Sequence, residues 1–312
     1  MTTSSARAES RSAPVKKPPT ARPKPRDDTR LALAFIAPAL IGFLVFLVWP
    51  TIRGIYLSFT TYNLLTPAEF TGLDNYRRML GDPIFWNSMR VTLQYVAINI
   101  GLQTVLALVI AVMMQRLTQR TWLRGVVLTP FLVSNVVAAM VFLWILDYQL
   151  GFGNFLLTQV GLERIPFLTD ENWVIPTIAG INVWRHVGYT ALLIFAGLQT
   201  IPASVYEAGR MDGAGEVRMF FSITLPLLRP IMALVLIITV VGSFQVFDTV
   251  AIATGGGPVN ASRVLQLYIY DLAFGRFQFG YASALSVALL VVLMTISFVQ
   301  YRLLRADSSD LD

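Results

Sequence analysis

Six long apolar runs constrain this chain more than any other feature of its sequence. They cover approximately Leu31–Trp49, Val91–Met114, Val126–Leu146, Val174–Leu198, Ile231–Val250 and Tyr281–Tyr301. A helix needs about 20 apolar residues to cross ~30 Å of hydrocarbon. Lipid offers no hydrogen bonds to the backbone, so each span must satisfy its own, and the short alternating segments of a β-barrel are absent. We therefore predict an all-α integral membrane protein with six transmembrane helices.

The composition fits a membrane protein and excludes several kinds of site. Of the 312 residues, 55% are hydrophobic and only 13% are charged, which is more apolar than a soluble domain requires. The absence of cysteine and the single histidine exclude disulfides, thiolate metal sites and multi-histidine metal sites. The sequence also lacks a phosphate-binding G-x-x-x-x-G-K-[ST] loop, paired carboxylates and a nucleophile–base arrangement. We expect a chain that is not an enzyme, that binds no cofactor or metal itself, and that has no nucleic-acid partner.

The ends of the chain are predicted to be tails. Residues 1–30 are rich in Pro, Ser and Thr and carry eight of the 24 basic residues, so we expect this segment to be disordered. The apolar run behind it is as long as a full span and no small-residue cleavage site follows, which favours an uncleaved first helix over a signal peptide. We predict a membrane domain over 31–306 and a short cytoplasmic tail over 307–312.

The distribution of basic residues predicts the orientation in the membrane. If the N-terminal tail is cytoplasmic, 16 of the 24 basic residues lie in inner segments, seven in outer segments, and Arg185 within a span. Cytoplasmic loops carry an excess of Lys and Arg. Both termini, and the loop between the fourth and fifth spans, are therefore predicted to be cytoplasmic.

That inner loop, Ala203–Pro226, is a polar segment between two strongly apolar runs. Its charged residues are Glu207, Arg210, Asp212, Glu216 and Arg218. An amphipathic linker on the lipid surface is the alternative, but the mixed charge would not hold it to anionic lipid. We expect a protein partner for this segment.

The local chemistry of the loop predicts two short helices. Ser204 and Glu207 have the spacing of a capping box, and Gly213 offers a left-handed stop. A second helix is expected from about Glu216 until Pro226 ends it. The result would be a helix-turn-helix knob that projects from the membrane.

The same segment resembles the EAA loop of permease subunits of bacterial binding-protein-dependent ABC importers. Glu207-Ala208-Gly209 is followed by three residues, then Gly213, then nine residues, then Ile223-Thr224-Leu225-Pro226. Every spacing of that loop is matched, and the one departure is Gly209 in place of a second alanine. A glycine there costs a helix roughly 1 kcal/mol relative to alanine.

Other stretches resemble the carbohydrate-uptake, maltose-type branch of these importers. They are Phe70–Tyr76, Gly197–Pro202, Gly255–Pro258, Tyr268–Tyr270 and Gly280–Ala282. The resemblance runs from about Leu31 to Leu304. Gly255–Pro258, read without the family, is equally well explained as a simple turn.

The resemblance implies a role, a location and partners. It implies a multi-pass subunit of the bacterial plasma membrane that pairs with a second homologous permease, two ATPase subunits and an extracytoplasmic substrate-binding protein. ATP and Mg would be bound by the ATPase subunits. The loop would be the coupling helix that docks on an ATPase, through Glu207, Ala208, Gly209, Asp212, Gly213, Ile223, Leu225 and Pro226.

Polar residues inside the apolar runs are candidates for a substrate pathway. Asn182, Arg185, His186 and Tyr189 recur at i, i+3, i+4 and i+7, which places them on one stripe of a helix. Ionisable residues within spans are costly, so such a stripe should face a cavity or a partner. We predict that it borders the translocation pathway and hydrogen-bonds substrate hydroxyls.

Three further residues belong to this prediction. Gln245 and Asp248 share a helical face in the fifth run, and Trp184 lies deep in the fourth run, where it is placed to stack on a sugar ring or to pack in the core. A purely structural alternative is an Arg185–Asp248 pair that staples two helices together.

The function expected from these features is ATP-driven import of a carbohydrate by alternating access. Glycerol phosphate, a polyol or a peptide are alternative substrates, since a cationic Arg185 would also suit a phosphate. A rival is a secondary transporter with Asp248, Arg185 and His186 as a relay, which requires internal repeats and broken helices; the sequence shows neither. A membrane scaffold without transport is a third possibility.

Overall fold

The computed structural model describes residues 29–117 and 121–304, which are mostly helical, as predicted. The tail at residues 1–28, the segment 307–312 and Arg120 lie outside the described residues. Contacts divide the chain into one unit that ends at Ile52 and a second that begins at Arg53.

The described residues of the first unit are helical. Helix α1 (Thr29–Phe43) continues through one wider π-helical turn (Leu44–Val48) into α2 (Trp49–Leu57). The candidate span is Ala32–Leu57, eight residues longer at its end than the run predicted from the sequence. Its apolar side chains are mostly exposed, as lipid-facing side chains are.

The second unit begins with the end of α2, which is followed by a small antiparallel hairpin, β1 (Thr60–Thr61) and β2 (Glu69–Phe70). Its helices, in chain order, are α3 (Asp74–Leu80), α4 (Pro83–Leu117), α5 (Thr121–Leu132), α6 (Asn135–Ile145), α7 (Phe152–Gln159), α8 (Val174–Leu198), α9 (Ala203–Met211), α10 (Glu216–Met219), α11 (Leu225–Leu227), α12 (Arg229–Phe244), α13 (Asp248–Ala253), α14 (Leu265–Tyr270) and α15 (Phe279–Leu304). Wider π-helical turns at Phe220–Thr224 and Asp271–Gly275 follow α10 and α14.

Two apolar clusters determine the directions of the long helices. One cluster joins the first halves of α4, α8 and α15 to the second half of α12, and includes Tyr95, Ile178, Phe244 and Leu285. The other joins the second halves of α4 and α8 to the first half of α12. Helices α4, α8 and α15 therefore run in one direction and α12 in the other, which is the alternation expected of spans two, four, six and five.

The third apolar run is not the continuous helix that its hydropathy predicts. Helices α5 and α6 meet at an angle of 88°. Pro130 lies inside α5 and lacks the N–H of a helical bond, and Ser134, with φ −60° and ψ 145°, is extended. The expectation that the chain contains no broken helix was therefore wrong.

The two halves of this broken helix follow α8 along its length. The Arg124 guanidinium lies 4.5 Å from the ring centre of Phe195, near the end of α8. At the other end, Leu146 shares a small cavity with Trp173, which precedes α8. This is the path of one broken span. In the described residues, four helices are long and apolar enough to cross a membrane, or up to six spans exist if each bent pair counts as one.

The fifth apolar run is also interrupted. Helix α12 ends at Phe244 and α13 begins at Asp248, with Gln245, Val246 and Phe247 in between. Gln245 and Asp248 therefore do not share one continuous helical face, as the sequence pattern had indicated. The pattern assumes unbroken helical geometry, which the irregular dihedral angles of Phe247 (φ −140°, ψ −60°) end.

The stretches outside the apolar runs form compact loops. The side-chain amide of Asn75, which is buried, donates to the carbonyls of Ser58 and Thr60, at 2.9 Å each, and so anchors the loop that contains Phe70–Tyr76. Gly255–Pro258 forms the turn that its composition indicates, with a cis peptide before Pro258.

Candidate functional site

A polar cavity of about 320 Å³ lies between α4, α8, α12 and the breaks that precede α6 and α13. More than half of the residues that line it carry a polar group. They are Tyr95, Asn99, Gln103, Asn135, Asn182, His186, Tyr189, Thr190, Thr239, Ser243, Gln245, Asp248 and Thr249.

Asn99 is the centre of a hydrogen-bond network on one wall. Its amide nitrogen donates to Gln103 Oε1 at 3.1 Å and to Ser243 Oγ at 2.9 Å. Gln103 in turn donates to Thr190 Oγ1 at 2.8 Å. The network joins α4 to α8 and α12. Among the described residues, nothing donates to the buried Asn99 Oδ1.

The opposite wall is built at the two helix breaks. The Asn135 amide nitrogen, at the start of α6, donates to Asp248 Oδ2 at 3.0 Å, at the start of α13. Asn135 Oδ1 is buried and, within the described chain, has no partner. Both breaks therefore deliver polar side chains to the same cavity.

Arg185 caps the end of α5 instead of lining the cavity. Its Nε donates to the carbonyl of Val133 at 2.6 Å, and Nη2 to that of Phe131 at 3.3 Å. A cation is favourable beside the carbonyls at a helix C-terminus. The described acidic side chains include none within ion-pair distance of Arg185, so the alternative Arg185–Asp248 pair is not formed.

The remaining side chains of the α8 stripe have separate partners. His186 Nε2 lies 2.8 Å from Arg185 Nη1, and its Nδ1 lies 2.9 Å from the carbonyl of Asn182. Because arginine only donates, Nε2 accepts and Nδ1 carries the proton, which assigns a neutral imidazole. Tyr189 stacks on Phe131 with ring centres 4.6 Å apart.

Five of the seven residues predicted for the pathway border the cavity: Asn182, His186, Tyr189, Gln245 and Asp248. Trp184 is outside it, half-exposed and packed edge-on against Phe142 at 5.1 Å between ring centres. Asn99 and Gln103 were missed, although two amides at i and i+4 within an apolar run are a signal of a buried polar face. Asn135 had no usable signal, because the break that exposes it was not predicted.

The polar segment at Ala203–Pro226 is a second candidate site. Helix α9 ends in a Schellman turn, in which the amide of Ala214 donates to the carbonyl of Gly209 and that of Gly213 to Arg210, both at 3.0 Å. Gly213 has φ +72°, as the predicted left-handed stop requires. The helix-turn-helix form of the segment is therefore confirmed.

Two details of this segment differ from the sequence interpretation. The predicted capping box is not formed, because Pro202 is the N-cap and Ser204 and Glu207 already lie within the helix, with no side-chain cap bond. Pro226 does not end the second helix either. It occupies the first turn of α11, where a missing N–H costs no helical bond.

The helix-turn-helix knob is packed on one side, where α9 meets the residues that follow α10, and is exposed on the other. Gly209 is buried, and a Cβ there would lie 2.9 Å from Ile223 Cδ1, so the glycine allows α9 to approach this side chain closely. Tyr206 Oη lies 3.2 Å from Thr224 Oγ1. The exposed surface of the segment combines charged and apolar side chains, and its exposed residues include Glu207, Ala208, Arg210, Met211, Asp212, Gly213, Glu216, Val217, Arg218 and Phe221.

Comparison with known proteins yields one family and many relatives. Residues 103–307 match the family model described as "Binding-protein-dependent transport system inner membrane component". The permease protein SmoG of the sulfoquinovosyl glycerol transport system of Agrobacterium fabrum is 36% identical over 281 residues, which cover 89% of this chain and 91% of that protein. MalF of the trehalose/maltose transport system of Thermococcus litoralis is 32% identical, over 87% of this chain and 92% of the relative.

The fold also has a solved counterpart. A chain of a bacterial ABC transporter involved in the import of the acidic polysaccharide alginate superposes with a TM-score of 0.78. The match covers 90% of this chain and 98% of that one, at 24% sequence identity. This likeness concerns the arrangement of the helices.

Proposed function

This chain belongs to the family of binding-protein-dependent transport system inner membrane components, and from that premise we propose that it moves a carbohydrate across the membrane through its polar cavity. The chain is a multi-pass membrane permease of an ABC importer. The observation that carries the substrate proposal is the cavity itself, where amides, hydroxyls and a carboxylate converge between apolar helices. Convergent polar groups in a concave site fix the orientation of a hydroxyl-rich ligand.

The proposed importer includes subunits other than this chain. We expect a second homologous permease, two ATPase subunits that bind ATP and Mg, and an extracytoplasmic substrate-binding protein. The exposed knob supports an ATPase partner, because Met211 is 88% exposed and Val217 and Phe221 are also exposed. Apolar side chains on a polar projection are typical of a docking surface.

Alternating access is the mechanism that these parts would serve. ATP-driven closure of the ATPases would move the knob, and a rigid-body rotation of the helices would open the cavity to the outside. The knob must make different contacts in the two states, since a ligand or partner shifts an equilibrium only by its differential affinity. Its internal packing through Gly209, Ile223 and Tyr206 supports the transmission of such a movement to α12.

The helix breaks where Asn135 and Asp248 meet are also a feature of secondary transporters. Ion coupling gives no role to the exposed knob, whereas the family match and the knob together fit an importer. Glycerol phosphate, polyols and peptides are the other substrates open to the importer.

The test is to purify the detergent-solubilised protein from its native membrane and identify the chains that accompany it. We expect an ATPase and a second permease of the same family to co-purify, and uptake in cells to stop when ATP is depleted. A chain that purifies alone, with uptake that collapses on addition of an uncoupler but survives ATP depletion, would establish the secondary transporter instead.

A further inference from the structure

The cavity presents hydrogen-bond acceptors that need a donor. Asn99 is 4% exposed, and its amide nitrogen donates to Gln103 and Ser243, whereas its buried Oδ1 has no donor among the described residues. Asn135 Oδ1 also lacks a donor among the described residues, and the Asn135 amide nitrogen donates to Asp248. A buried acceptor without a donor is costly. Each oxygen would gain a partner if its amide turned towards a ligand hydroxyl in the adjoining cavity.

Among the described lining residues, Asp248 is the one carboxylate, and it adds a negative charge to these acceptors. Asp248 and His186 are the charged or basic candidates among the lining residues that the structure describes, and the hydrogen bonds of His186 assign it a neutral ring. Asp248 receives one bond from Asn135, which is itself uncharged. The formal charge of the described lining residues is therefore negative.

Arg185 lies close enough to Asp248 for their charges to interact, but its hydrogen-bond donors are directed at other groups. Arg185 donates hydrogen bonds from Nε and Nη2 to the carbonyls of Val133 and Phe131, and from Nη1 to His186. It does not line the cavity. A phosphate or carboxylate in the cavity would thus meet amide oxygens and a carboxylate, without the bidentate guanidinium that usually binds such groups.

We propose that the cavity receives an uncharged, hydroxyl-rich solute and repels anionic ones, with Asp248 as the source of the repulsion. This rests on the proposed transport function and narrows it, because it excludes glycerol phosphate and acidic sugars from the substrates. The cavity would discriminate between neutral and anionic solutes electrostatically. This selection would be additional to any selection by a substrate-binding protein.

The chain is suited to a direct test because it has no cysteine. Gly242 lines the cavity, and a Cβ added there meets nothing within 4 Å, so there is room at this position for the Cβ of Gly242→Cys. The probes are cationic trimethylammonioethyl, neutral hydroxyethyl and anionic sulfonatoethyl methanethiosulfonates. Their rates of labelling are measured on the purified, detergent-solubilised protein, together with any chains that accompany it, and are divided by their rates with a free thiol in solution.

We expect the cationic reagent to label Gly242→Cys about tenfold faster than the anionic one after this correction. Asp248→Asn, which keeps an acceptor for Asn135, should reduce the ratio to near one. The matched control Asp74→Asn removes an exposed carboxylate that does not line the cavity. It should leave the ratio unchanged. Leu150→Cys, at a 91% exposed position, should react at similar corrected rates with all three reagents.

Three results would overturn the proposal: equal rates, a faster anionic reagent, or a cationic preference that survives Asp248→Asn. If Gly242→Cys does not react with the neutral reagent, Ile238→Cys, which also lines the cavity and is 45% exposed, is labelled instead. Failure of both positions would show a cavity closed to solutes and would equally overturn it. Labelling does not depend on transport, so a failed co-purification would reject the importer and leave the sign of the cavity potential measured.

Discussion

At the scale of single residues, Gly213 shows how one backbone angle shapes the coupling knob. Its φ of +72° lies in the left-handed region, and the space around its missing Cβ is empty. The obstacle to a side chain there is thus backbone strain alone. The left-handed conformation costs an L-residue roughly 1–2 kcal/mol.

Gly213→Ala should therefore reduce uptake only moderately, whereas Gly213→Pro should abolish it. Proline fixes φ near −65° and removes the N–H that donates to the carbonyl of Arg210. The Schellman turn at the end of α9 therefore cannot form. The measurement is substrate uptake in cells, normalised to the amount of protein in the membrane. Unchanged uptake by a well-expressed Gly213→Pro variant would remove the knob from the mechanism.

Asn182, Arg185, His186 and Tyr189 show the limit of a residue pattern. Their spacing places them on one stripe of α8, and the structure keeps them there. Three of them border the cavity, yet Arg185 binds the backbone of α5. A helical stripe spans a wide angle, and a long side chain reaches whichever unsatisfied carbonyl lies nearby.

At the scale of elements, the break between α5 and α6 is the main departure from the sequence expectation. A break inside a span leaves carbonyls that lipid cannot satisfy, so the protein must supply donors. Arg185 supplies two of them. The close approach that this needs is permitted by Gly188, where a Cβ would lie only 1.9 Å from the carbonyl oxygen of Val127.

Arg185→Met should destabilise the protein by about 2 kcal/mol, because two partly buried carbonyls lose a charged donor. Arg185→Lys, which can keep one bond, should lose about half as much. The measurement is thermal unfolding in detergent, followed by tryptophan fluorescence. The matched control Arg77→Met removes an exposed surface pair and should change stability by less than about 0.5 kcal/mol. If Arg185→Met unfolds at the temperature of that control, Arg185 does not cap α5.

At the scale of the whole molecule, Asp82 ties together three distant parts of the chain. Tyr268 and Tyr281 each donate to Asp82 Oδ2 at 2.6 Å, and the amide of Ile84 donates to Oδ1 at 2.8 Å. Partial burial acts to raise the pKa of Asp82, but the bonds from the two tyrosines and the backbone outweigh it and hold the pKa below its ordinary value. The carboxylate therefore joins α4 to α14 and α15 in its ionised form.

This lowered pKa predicts a pH-dependent stability. The stabilisation from Asp82 is complete above the unfolded-state pKa of about 4, and it is lost as the pH falls through the lower folded-state pKa. Asp82→Asn should thus cost about 1–2 kcal/mol at pH 7, and this cost should shrink as the pH falls further below about 4. Unfolding temperatures of the two proteins, measured from pH 7 into this acidic range, test the prediction. A gap that stays constant with pH would contradict it, and Asp74→Asn, at an exposed site, should show little gap at any pH.

The sequence alone determined the features that depend on local chemistry. The length of an apolar run decides whether a helix crosses the membrane, because each unsatisfied backbone group in lipid is expensive. The turn at Gly213 follows from the freedom of glycine, and the spacing from Glu207 to Pro226 was sufficient to indicate the family.

The tertiary structure decided the rest. Hydropathy does not record the direction of the backbone, so an apolar run that bends by 88° scores like a straight one. The cavity joins Asn99 to Ser243, 144 residues away, and Asn135 to Asp248, 113 residues away. Partners at such separations depend on how helices pack, which no local pattern encodes.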